Sequence, residues 1–96
     1  MLLGKLREIV CECNKMLPEY DLVKMTSGNV SGRDPETGLI VIKPSGYAFD
    51  ELTPDHMVVV DIDGNIVDGD LKVSPDTDTH LYVYKFRADV MGMVHT

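Results

Sequence analysis

The sequence predicts an α/β fold in which a largely antiparallel central sheet is flanked by helices, and three observations predict it. Two segments carry helical spacing, one at the amino end and one following Ser74. Elsewhere the apolar residues gather in short β-branched runs. Clusters of Pro, Gly, Asp and Asn separate those runs, and turns that short join antiparallel neighbours.

Leu2, Leu6, Ile9, Cys13, Met16 and Leu17 fall on one helical stripe that Pro18 ends. Cys13 is expected on that apolar face as a buried thiol, with Cys11 turned about 200° away. Two cysteines so close make no disulfide framework and suit a reducing compartment. Leu22, Val23 and Met25 read as a short extended stretch, and Val30-Ser31 as a strand after the polar cluster Thr26-Ser27-Gly28-Asn29. Turn chemistry from Arg33 to Gly38 returns the chain into Leu39-Ile40-Val41-Ile42, making a hairpin. Lys43-Pro44-Ser45-Gly46 is a loop, and Thr53-Pro54-Asp55-His56 a capped single turn with proline at its first helical position. Met57 to Ile62 is a strand that Asp63-Gly64 turns into Ile66-Val67. Beyond Asp68-Gly69-Asp70, a second helix opens at Ser74-Pro75-Asp76-Thr77 and runs to about Arg87, with Leu81, Tyr84 and Ala88 on one face. Met91 to His95 forms the last strand, reaching the carboxyl end with no closing loop, as in a fragment.

Composition limits function. Ninety-six residues make one domain, and 44% hydrophobic with 26% charged residues make it a folded one. Sixteen Asp+Glu against nine Lys+Arg leave a net charge of −7, which opposes a broad nucleic-acid or anionic-membrane surface, so an anionic substrate needs a local site. No apolar run approaches the ~20 residues of a spanning helix, and the amino end lacks a secretory h-region; a cytoplasmic protein is expected.

Three loops share a chemistry. Ser27-Gly28-Asn29, Ser45-Gly46 and Ser74 before Pro75-Asp76 pair small polar side chains with glycine or a helix start, where backbone N–H groups can approach a phosphate. Singly, each reads as an ordinary turn; together at one sheet end they would make an anion pocket, though spacing does not show convergence. Asp76 and His80, four residues apart, can share a helix face; the plainer reading makes Asp76 or Thr77 a cap and His80 a surface or half-buried residue. His95 reads as a hydrogen-bonded core residue or, since imidazole and carboxylate suit zinc, as a ligand. His56 reads as solvated.

Thr26-Ser27-Gly28-Asn29-Val30-Ser31, Ile42-Lys43-Pro44-Ser45-Gly46, Asp55-His56-Met57-Val58-Val59-Val60, Ser74-Pro75-Asp76-Thr77-Asp78-Thr79-His80 and Gly92-Met93-Val94-His95-Thr96 resemble, in order, successive motifs of the class II aldolase/adducin family. The likeness is strongest to its L-ribulose-5-phosphate 4-epimerase branch. It implies a class II aldolase-like α/β/α sandwich, with residues 1–96 the amino-terminal part of one domain, truncated. It further implies substrate-phosphate contacts at Gly28, Asn29, Ser45, Gly46, Ser74 and Pro75, and metal ligation at Asp76 and His95, with one zinc per site. Aspartate at position 76, where the family's aldolases usually carry an acid/base glutamate, favours the epimerase. Pro75 stands where similar epimerases tend to have serine, and supplies neither hydroxyl nor N–H.

The implied reaction inverts C4 of L-ribulose 5-phosphate to give D-xylulose 5-phosphate by zinc-assisted retro-aldol and aldol steps, with the phosphate as anchor. A zinc-dependent sugar-phosphate aldolase is the nearer alternative, and a non-catalytic adducin-like or degenerate fragment the other. The family's second histidine of the His-x-His pair, its later third histidine and its acid/base Asp and Tyr all lie beyond Thr96. The resemblance therefore implies no catalytic acid/base within these residues, an inactive isolated fragment, and a homotetrameric full-length enzyme acting on a phosphorylated ketopentose. Ending on an unpaired sheet edge, the isolated chain is expected to be aggregation-prone or partly molten.

Overall fold

A computed structural model describes residues 1–20, 22 and 28–95. The order of elements is helix α1 (Gly4–Glu19), strands β1 (Asn29–Arg33) and β2 (Ile40–Ile42), two 3-10 turns (Phe49–Glu51 and Pro54–His56), strands β3 (Val58–Val60) and β4 (Ile66–Asp68), helix α2 (Thr77–Phe86) and strand β5 (Gly92–His95). The strands form one sheet in the order β4-β3-β2-β1-β5, antiparallel at every junction. Both hairpins expected from the turn chemistry are present, although β3 is shorter than the Met57–Ile62 run. Val23, Met25, Thr26, Ser27 and Thr96 lie outside the described residues, and Leu22 is exposed without regular structure.

The sheet separates two apolar layers, because side chains alternate across a strand. Val30, Val41 and Val59 pack with Val10, Cys11 and Leu17 of α1 on one face. Ile40, Val58 and Val60 pack with Leu81 and Tyr84 of α2 on the other. The result is the helix–sheet–helix sandwich expected. Ala88 departs from expectation: α2 stops at Phe86, so Ala88 lies past its end and is exposed.

Helix α1 is turned relative to its apolar stripe. Its buried residues are Arg7, Val10, Cys11, Asn14 and Leu17, whereas Ile9 is 56% and Met16 42% exposed. Cys11, not Cys13, is the fully buried thiol, and burial pushes its pKa up. The cause is polar. Asn14 Nδ2 donates to the carbonyls of Val10 (2.8 Å) and Val30 (3.0 Å), and its Oδ1 accepts the Val30 N–H at 2.8 Å. Arg7 Nη1 donates to the Met57 carbonyl at 3.1 Å. These side chains satisfy main-chain groups under the sheet, a need that apolar periodicity does not register. Close packing adds to it: a Cβ on Gly32 would stand 3.0 Å from carbons of both Leu6 and Val10. The helix also runs one residue past Pro18, ending at Glu19.

Candidate functional site

Strand β1 builds the site. Val30 and Gly32 face α1, so Asn29, Ser31 and Arg33 face α2 and make a polar column there. Because β1 is antiparallel to β2 and to β5, its first residue lies at the same end of the sheet as the last residues of both partners. Asn29 is in register with His95, and Ser45-Gly46 follows the end of β2. The third loop is tied to the second: Pro44 bridges Val73, and the Ser45 N–H donates to the Lys72 carbonyl at 2.8 Å. Gly28 and Gly46 adopt φ of 87° and 77°, which glycine tolerates best.

These connections bring Gly28, Asn29, Ser45, Gly46, Ser74, Pro75 and Asp76 around one cavity of about 360 Å³. Lys43 joins them, a residue that sits within one of the sequence motifs but to which the pattern alone assigns no role. Its side chain is 2% exposed, its ammonium lies 4.7 Å over the Phe49 ring, and burial lowers its pKa against the opposing pull of Asp76. A lysine two residues before Ser45-Gly46, within the same loop of an acidic chain, was the available signal.

Hydrogen bonding divides the labour among these residues. Asn29 Nδ2 donates to Ser74 Oγ at 2.7 Å and to Asp76 Oδ2 at 3.0 Å, so both amide hydrogens are committed within the protein. Asp76 holds the N-cap position of α2 but makes no capping bond with its side chain. The nearby serine takes over: Ser74 Oγ accepts the Asp76 N–H at 3.3 Å, and Thr77 Oγ1 donates to the Ser74 carbonyl at 2.6 Å. Freed from capping, the Asp76 carboxylate faces His95, with Oδ2 3.0 Å from Nδ1.

That imidazole nitrogen is buried and, among the described residues, takes no hydrogen bond despite the short approach. An orphaned imidazole nitrogen beside a carboxylate oxygen is a donor set that fits a divalent cation. Ligands at about 2.0–2.1 Å in a tetrahedral shell stand about 3.3 Å from each other, close to the spacing here. Among the described residues no group of three or more His, Cys, Asp or Glu side chains assembles, so these residues offer two ligands. His80 is not the surface or half-buried residue expected. It is fully buried between Asn29 and Ser31, and burial first, then His95, lowers its pKa to about 4. Tyr84 OH lies 2.7 Å from Ser31 Oγ, and burial raises its pKa. His56 is half-buried, its ring tilted 48° against that of Tyr47 with centroids 4.5 Å apart, and it accepts the Thr53 N–H at 3.2 Å. No helix among the described residues is long and apolar enough to cross a membrane.

Solved structures share this arrangement of elements. An L-fuculose 1-phosphate aldolase superposes with a TM-score of 0.92 at 36% identity, over 100% of this chain and 45% of that one. YgbL from Escherichia coli, described as a putative aldolase/epimerase/decarboxylase, superposes at 0.86 with 26% identity, over 96% of this chain and 44% of that one. An L-fuculose 1-phosphate aldolase from Glaciozyma antarctica PI12, 20% identical, shares the fold at 0.86 over 97% of this chain and 40% of that one. The chain thus spans less than half the length of these structures. With residues 8–96 matching the Class II Aldolase and Adducin N-terminal domain, the chain belongs to the class II aldolase and adducin family.

Proposed function

We propose that this chain is the amino-terminal part of a sugar-phosphate epimerase that interconverts L-ribulose 5-phosphate and D-xylulose 5-phosphate, with a divalent cation, zinc, held by Asp76 and His95. One observation carries the reading: the Asp76 carboxylate is tethered by Asn29 and set 3.0 Å from a buried imidazole nitrogen, as a ligand would be. A mobile acid/base would need freedom to approach substrate. Class II aldolases are typically divalent-metal dependent, which supports the same reading.

In this reading the Lys43 ammonium and the Ser45 and Ser74 hydroxyls hold the substrate phosphate in the cavity, helped by the backbone at Gly28 and Gly46. A bound cation supplies Lewis-acid stabilisation of the negative charge left on the C1–C3 fragment when the C3–C4 bond breaks. The C4 hydroxyl gives up its proton to a base outside these residues as the bond breaks. The C4–C5 aldehyde fragment stays tethered through its phosphate, turns over, takes the bond pair back on its opposite face, and its oxygen is reprotonated. Retention by these residues is what separates epimerisation from cleavage. A homotetramer located in the cytoplasm belongs to the same proposal.

The test incubates the full-length protein and zinc with L-ribulose 5-phosphate. D-xylulose 5-phosphate without free dihydroxyacetone and glycolaldehyde phosphate is expected; free fragments without epimer would overturn the epimerase reading. A second reading, a sugar-phosphate aldolase, is favoured by the 36% identity to an L-fuculose 1-phosphate aldolase along the whole chain. Cleavage of L-fuculose 1-phosphate, with L-ribulose 5-phosphate left untouched, would establish it. Absence of both zinc and phosphosugar binding would leave the non-catalytic, adducin-like reading.

A further inference from the structure

We propose that His80, Ser31 and Tyr84 are positioning residues, a one-way hydrogen-bond relay that fixes the Asn29 amide and leaves the Ser74 hydroxyl proton directed at the cavity. The inference deepens the reading of that cavity as a phosphate cradle and rests on it.

The direction of the relay follows from one atom whose role is fixed. An ionised carboxylate only accepts, so the Asn29 atom 3.0 Å from Asp76 Oδ2 is the amide nitrogen, and Oδ1 is the atom that faces His80 Nε2. An amide oxygen also only accepts; Nε2 therefore carries hydrogen. In a ring buried as completely as this one the neutral form is favoured, which leaves Nδ1 with a lone pair. Ser31 Oγ, 2.6 Å from Nδ1, must donate to it and then accepts from Tyr84 OH, 2.7 Å away. Tyr84 is 1% exposed and its hydroxyl has this partner for its proton.

At the other end, Ser74 Oγ accepts from Asn29 Nδ2 at 2.7 Å and from the Asp76 N–H at 3.3 Å. Both lone pairs are then occupied, and the hydroxyl's own hydrogen is left to donate, on a residue that lines the cavity. A phosphate oxygen accepts and never donates in its dianionic form, so a serine locked as donor is matched to it. Were the Asn29 amide turned over, its oxygen would face Asp76 and repel it, and Ser74 would have to give its proton to that oxygen. His80 prevents the turn, because only one edge of Asn29 can receive Nε2–H.

Two measurements on the purified protein decide this. Long-range 1H–15N NMR of the imidazole rings is expected to show His80 neutral with Nε2 protonated; a ring protonated at Nδ1, alone or together with Nε2, would overturn the relay. Titration with inorganic phosphate is expected to show about tenfold weaker binding in His80→Leu and recovery to within about threefold in His80→Gln, whose amide N–H can replace Nε2–H. Equal phosphate affinity in the native and leucine proteins would also overturn it. If the leucine protein does not fold, the ring tautomer in the native protein upholds or refutes the relay by itself. Should the native protein bind no inorganic phosphate, the cradle reading fails, while the tautomer still decides the relay.

Discussion

Two buried asparagines on neighbouring elements do opposite work. Among the described residues Asn14, fully buried on α1, bonds main chain: two carbonyls and one N–H, two of the three on Val30. The side chain of Asn29, one residue before Val30 and 2% exposed, bonds other side chains among the described residues: His80, Ser74 and Asp76. Main chain is present whatever the sequence, so Asn14 reads as a joint between helix and sheet. Partners made of side chains, ending at a cavity, mark Asn29 as the organiser of a site. The difference teaches that burial of a polar group identifies function only once the identity of its partners is known.

The comparison breaks if removing either asparagine has the same consequence. Asn14→Ala would leave the Val30 N–H and C=O without their side-chain partner beneath the sheet, and a loss of roughly 3–5 kcal/mol is expected in denaturant unfolding. Phosphate affinity of the folded fraction should stay near native, and a large fall would show that Asn14 belongs to the site. Acid is expected to strike at the Asn29 end, since His80 titrates and Asn14 does not. His80 has a folded pKa of about 4 against an ordinary value near 6.5, so the unfolded chain binds its proton first as pH falls. Its contribution is fully present above about pH 6.5 and is lost between there and about pH 4, on the order of 3 kcal/mol at most. Unfolding free energy measured across that window in native and His80→Gln proteins isolates the histidine; parallel curves would remove it as the cause.

A smaller loss of stability is expected for Asn29→Ala, about 1–2 kcal/mol, because its partners can find water through the cavity. Its effect belongs to binding: inorganic phosphate affinity should fall about tenfold, as Ser74 and Asp76 lose their shared donor. Unchanged affinity would make Asn29 a second Asn14.

The sequence exposed these regions unequally. Hairpins at Arg33–Gly38 and Asp63-Gly64, and the helix beginning after Ser74, were legible because turn chemistry and strand composition are local. The three polar loops were legible as chemistry, yet their meeting depends on antiparallel register and on the Pro44–Val73 bridge, which no spacing encodes. His80, Ser31 and Tyr84 were missed as a group because Ser31, on β1, lies 49 and 53 residues from the two α2 residues it joins, and each alone resembles an ordinary strand or helix residue. Lys43 stood in view, and only its burial beside Ser45 and Asp76 gives it weight.

The gentlest test concerns the rotation of α1, since the turn that puts Asn14 beneath Val30 also puts Ile9 in solvent. Apolar spacing assigns Ile9 to the core and says nothing for its neighbour; the structure leaves Ile9 56% exposed and Val10 2% exposed. One residue along a helix is about 100°, enough to move a side chain from core to surface. Ile9→Ala should therefore cost within about 0.5 kcal/mol, and Val10→Ala, losing two buried methyl groups, about 2 kcal/mol. Reversal of that order in chemical denaturation would return the helix to its apolar stripe. Asn14 would then point away from Val30, and the contrast between the two asparagines would vanish with it.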